Sequence, residues 1–90
     1  MSSDPLWKRL RNFDWESARL SVKKGKEVRK LLQDLAGKKE ARAMRASQGL
    51  WSLMKANADL GPVIRPFLNE IREISELPVQ EEIDELLDLA

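Results

Sequence analysis

The side chains of this 90-residue chain that could do chemistry are lysines, arginines and carboxylates, because histidine, cysteine and tyrosine are all absent. General acid–base work would fall to carboxylates or lysines, which are less common choices near neutral pH. The expectation is a protein that is not an enzyme. Without cysteine there is no disulfide framework and no thiolate metal site, so a reducing compartment fits and a cytoplasmic location is expected. The carboxylates Glu81, Glu82, Asp84 and Glu85 are of the type that hard cations take, but a metal shell needs a turn that makes its ligands converge. On a helix these four diverge. No metal and no cofactor is expected.

Binding is the chemistry that remains. Residues 1–56 carry 14 Lys or Arg against 6 Asp or Glu, a net of +8, while residues 57–90 carry 2 against 9, a net of −7. The cations Lys23, Lys24, Lys26, Arg29, Lys30, Lys38, Lys39, Arg42 and Arg45 are candidates for contact with nucleic acid or an acidic protein. Glu81, Glu82, Asp84 and Glu85, with Glu70, Glu73, Glu76 and Asp88, form an acidic mirror that could face a basic protein such as a nuclease toxin. Two outcomes compete. The halves could pack together and use their opposed fields on each other, or the charge could stay on solvated faces where a partner meets it. No exposed aromatic is expected between Lys23 and Arg45, so sequence readout and strand stacking have little support there.

The elements that must position these charges are read from glycine, proline and apolar spacing. Asp4 before Pro5 offers an N-cap, and Leu6, Leu10 and Phe13 share one face of a short first helix. Asp14 predicts a second helix with Trp15, Ala18 and Val22 on its buried stripe and Gly25 as its stop. Val28, Leu31, Leu32 and Leu35 define a helix over 26–36 that Gly37 ends. The longest helix spans 38–56, and Gly49 within it points to a close helix crossing or a local bend. After the break at residues 57–62, Ile64, Phe67, Leu68, Ile71 and Ile74 form the strongest apolar stripe and should centre the core. Pro66 falls near the start of that helix, as a first-turn proline or a tolerated kink. Leu77-Pro78 ends it, and Val79, Ile83, Leu86 and Leu87 mark a last acidic helix. The tryptophans Trp7, Trp15 and Trp51 are read as core or seam residues, and any one left exposed would mark an interface.

Length and composition predict one all-α domain over residues 1–90, with 42% hydrophobic and 34% charged residues. No apolar run approaches the roughly 20 residues that span a bilayer, so no membrane partner is expected.

One series of residues is similar to a known family: Phe13-Asp14-Trp15-Glu16-Ser17, then Val28, Leu31-Leu32 and Leu35, then Arg45-Ala46 and Leu50-Trp51, then Pro66-Phe67-Leu68. In order and spacing it resembles bacterial HEAT-like repeat proteins, over residues 13–74. The resemblance implies stacked antiparallel helix pairs and a binding scaffold, in a family with some members at toxin-immunity loci. Where that family often carries His-Gln-Gly after Leu-Trp, this chain reads Lys55-Ala56-Asn57-Ala58-Asp59, so no role of that loop carries over. The chain has room for only two or three pairs, fewer than most solenoids use. Five to six short helices are therefore expected, as HEAT-like pairs or as a compact irregular bundle. The favoured function is a protein–protein interaction module, an immunity protein or adaptor acting by occlusion. Nucleic-acid binding through residues 23–45 is the alternative, and a homodimer covering unfinished repeat ends is a third possibility.

Overall fold

A computed structural model describes residues 5–15 and 19–90, and five α-helices follow one another within them: α1 (Pro5–Asn12), α2 (Val22–Ala36), α3 (Glu40–Ala56), α4 (Leu60–Glu73) and α5 (Leu77–Leu89). Among the described residues there is no strand. The Cα radius of gyration is 12.1 Å, against about 12 Å for a compact domain of this length. The chain is an all-α compact bundle. The predicted cap at Asp4, the stripe position Ala18, and Glu16 and Ser17 of the family-like series lie outside the described residues.

The second predicted helix is overturned. α2 begins at Val22, where Ser21 Oγ accepts the Lys24 backbone N–H at 3.1 Å and so satisfies one of the free donors of a helix start. Arg19 takes a left-handed φ of 66° between Trp15 and that cap, and Leu20 N–H donates to the Trp15 carbonyl at 3.1 Å. Gly25 is consequently not a stop but the fourth residue of α2. A Cβ placed there would stand 2.5 Å from Trp15 Cβ, so glycine is present because the Trp15 side chain lies against the helix backbone. Val22, predicted on the buried stripe, is 53% exposed because it opens α2 ahead of the first buried turn.

α2 and α3 form a hairpin across residues 37–39, and Gly37 N–H closes α2 on the Asp34 carbonyl at 3.1 Å. The predicted close crossing is found at Gly49, whose missing Cβ would meet Leu31 Cδ2 at 3.1 Å. Leu32, Leu35, Leu50, Ile64, Leu68, Ile71, Ile83 and Leu86 are fully buried between the helices, with α5 seated on α3 and α4. The acidic helix therefore folds back onto the bundle. Its end reaches the start of α4, where Ala90 Cα lies 2.8 Å from the position a Gly61 Cβ would take. Pro66 lies inside α4, on its exposed side, because that helix begins at Leu60, ahead of Pro62. Phe13, Trp15 and Phe67 form a ring cluster with centroids 4.6 to 6.1 Å apart, tying the segment after α1 to α4.

One member of the predicted core stripe departs from it. Ile64, Phe67, Leu68 and Ile71 are buried, whereas Ile74 is 62% exposed. α4 ends at Glu73, and Ile74 has left the helical path, with φ −101° and ψ 4°. The three-and-four spacing loses its geometric meaning once the helix stops.

Candidate interaction surfaces

The nine predicted cations are arranged around the α2–α3 hairpin and not on one face. Lys23, Lys26 and Lys30 stand on the outer side of α2, away from buried Val28, Leu32 and Leu35. Lys24 Nζ donates to Asn57 Oδ1 at 3.1 Å, next to the end of α3, and Arg29 Nη1 reaches the Arg11 carbonyl at 3.5 Å, next to α1. Lys38, Lys39 and Arg42 crowd the tip of the hairpin, and Arg45 follows one turn along α3. Among the described residues none of the nine forms an ion pair with a carboxylate, although Glu27, Asp34 and Glu40 share the same two helices and loop.

The four predicted carboxylates of α5 are also separated. Arg72 holds Asp84 through Nε–Oδ1 at 2.7 Å and Nη2–Oδ2 at 3.3 Å. This hydrogen-bonded pairing raises the Arg72 pKa and holds the Asp84 carboxyl below the ordinary aspartate value, against a smaller opposing effect of desolvation. Glu81 points to solvent. Glu82 and Glu85, three residues apart, converge instead on a cleft of about 240 Å³ between α3 and α5, which Ser47, Gln48, Trp51, Ser52 and Leu86 complete. At its floor the Ser47 hydroxyl donates to the Met44 carbonyl at 2.7 Å, with Glu82 Oε1 at 3.3 Å. No cation among the described residues is ion-paired to Glu82 or Glu85.

Trp51 forms the apolar wall of that cleft and is 44% exposed, unlike Trp15, which is buried. Lys55 Nζ lies 5.1 Å from the centroid of the Trp51 ring, so this indole already attracts an ammonium group. An exposed indole beside two unpaired carboxylates suits a lysine or arginine side chain: the stem packs on the ring and the charged head meets the carboxylates. No group of three or more His, Cys, Asp or Glu among the described residues is placed to hold a metal ion. No helix among them is long and apolar enough to cross a membrane.

Sequence reasoning missed two further exposed residues. Ile74 and Leu77, 62% and 67% exposed, stand on the corner between α4 and α5. Ile74 belongs to an apolar stripe that predicts burial, and Leu77 is read from the sequence only as the end of that helix. The end of α4 at Glu73 and the start of α5 at Leu77 leave both facing outward. Across the break at residues 57–62, a single ion pair joins the basic half to the acidic half among the described residues, Arg9 with Glu70. The chain matches no family model, no curated protein and no solved structure.

Proposed function

We propose that this chain is a small helical protein–protein interaction module that acts by covering a partner's surface, as an immunity protein or adaptor does. The observation that carries this reading is that the opposed charges are not spent on each other: among the described residues one ion pair bridges the halves, and the nine cations have no carboxylate partner. Charge left on the surface in this amount steers association and selects partners by complementarity. The acidic side, with Glu82 and Glu85 around exposed Trp51, is the contact face for a basic protein, and Trp51 has the size and position of an interface anchor. The HEAT-like resemblance, in a family of binding scaffolds with some members at toxin-immunity loci, supports the same reading.

Titration calorimetry against the protein encoded next to this one tests it. Micromolar binding that weakens with salt, and weakens about tenfold or more in Trp51→Ala and in Glu82→Lys, is the expected result. Absence of heat at those concentrations removes that partner. The cations of the α2–α3 hairpin, without an ion pair among the described residues, favour a second reading, sequence-indifferent nucleic-acid binding with strong salt dependence. A low-salt gel shift with duplex and single strands decides it, and failure of both strands ends that reading.

A further inference from the structure

We propose that the α4–α5 corner is a self-association surface on which two copies of this chain meet about a two-fold axis. Ile74 and Leu77 are the most exposed large apolar side chains among the described residues, and only Ser75 and Glu76 separate them. They are not carried on a loose loop. Ile74 and Ser75 N–H donate to the Ile71 and Arg72 carbonyls at 3.1 and 3.2 Å, the Ser75 hydroxyl to Ile71 O at 2.6 Å, and Gln80 Nε2 to Arg72 O at 2.9 Å. The corner is pinned from both helices, so holding the two side chains outward costs little ordering on binding.

Beside these projections lies an open hollow of about 600 Å³, with Trp7, Leu35, Ala36 and Val79 providing an apolar floor. Projection and hollow occupy one patch. That is the arrangement a two-fold contact needs, because each copy must present the same surface and that surface must complement itself. Burying Ile74 and Leu77 of one copy in the hollow of the other removes both from water in a single step.

Charge on the rim agrees. Lys38 borders the hollow on the hairpin side and Glu76 on the corner side, with Glu40 also on the rim, and neither Lys38 nor Glu76 has an ion-pair partner among the described residues. Glu76 is the N-cap residue of α5, yet its side chain makes no cap hydrogen bond, which leaves the carboxylate available. A two-fold axis between projection and hollow sets Lys38 of each copy opposite Glu76 of the other, twice per dimer. An external partner would need opposite charges in that same order, whereas a second copy carries them by symmetry.

The proposal stands apart from the partner reading above, since this patch shares no lining residue with the Trp51 cleft. Its test is the mass of the full chain by light scattering and sedimentation, up to about 1 mM. The expected result is a mass that climbs with concentration from 10.3 kDa toward twice that value. Ile74→Asp and Leu77→Asp, both surface changes whose helicity circular dichroism checks, should each return the monomer. Lys38→Glu and Glu76→Lys should each weaken association about tenfold, and the two together should restore it. A chain that stays at 10.3 kDa throughout overturns the proposal. So does a dimer that survives both aspartate variants, or a double charge reversal no better than either single one. A monomer whose Trp7 is shielded only when the neighbour-encoded protein is added also overturns it and assigns the corner to that protein.

Discussion

At the scale of single residues, the two closely packed glycines of the hairpin, Gly25 and Gly49, make opposite predictions. The nearest obstacles to a Cβ on Gly25 are Trp15 Cβ and Cγ at 2.5 and 2.9 Å, atoms close to the backbone that cannot swing away. Gly25→Ala should therefore lower stability by about 1–3 kcal/mol, more than alanine's helix preference of ~1 kcal/mol returns. At Gly49 the obstacle is the tip of Leu31 at 3.1 Å, which a small rotation moves. Gly49→Ala should be neutral or stabilising by up to ~1 kcal/mol, and urea unfolding of both variants checks the contrast. Asp84 supplies a pH prediction. Its carboxyl is held low by Arg72, so the stability it contributes is present above the ordinary aspartate pKa and disappears as pH falls through the lowered one. Because the pair is solvent-exposed the effect on stability is small. Carbon-detected NMR should find Asp84 titrating below ordinary aspartates and returning to their range in Arg72→Gln.

At the scale of elements, α5 tests whether an acidic helix can be integral to the core. Its buried stripe, Val79, Ile83 and Leu86, lies against α3 and α4, while Leu89 near its end is 40% exposed. Leu86→Ala should cost about 2–5 kcal/mol, a large share of the 5–15 kcal/mol typical of a folded domain. Leu89→Ala should change stability by less than about 0.5 kcal/mol. Equal costs in denaturant unfolding would mean that α5 is not docked as described. Helix α5 was legible because its period and the break at Leu77-Pro78 are local. The start of α2 was not. Asp14 and Ser21 are both good N-cap types, and the choice between them depends on where Trp15 packs, against a residue of α2 itself.

At the scale of the molecule, the distribution of charge makes a prediction about salt. Like charges crowd the α2–α3 hairpin and α5 while one ion pair joins the halves among the described residues; charge kept for a partner, as proposed, implies that repulsion within each half outweighs attraction between them. Raising NaCl from roughly 10 to 500 mM should increase unfolding stability, by a few tenths to about 1 kcal/mol. A fold that used its opposed halves as internal glue would lose stability instead, so the sign of the shift in urea midpoint decides between the two. The same unspent charge underlies the proposed partner binding.

By itself the amino-acid sequence determined the helical class, four of the five helices to within a few residues, the absence of histidine, cysteine and tyrosine chemistry, and the charge asymmetry. These follow from composition and from apolar spacing along the backbone, which are local properties. Tertiary structure alone decided that Gly25 is a contact and not a stop, that Glu82 and Glu85 meet at Trp51 while Asp84 turns to Arg72, and that Ile74 and Leu77 face outward. The reason is physical: a side chain's burial and its ionic partner depend on which helix faces cross and where each helix ends, and both are set by contacts between residues far apart in the chain.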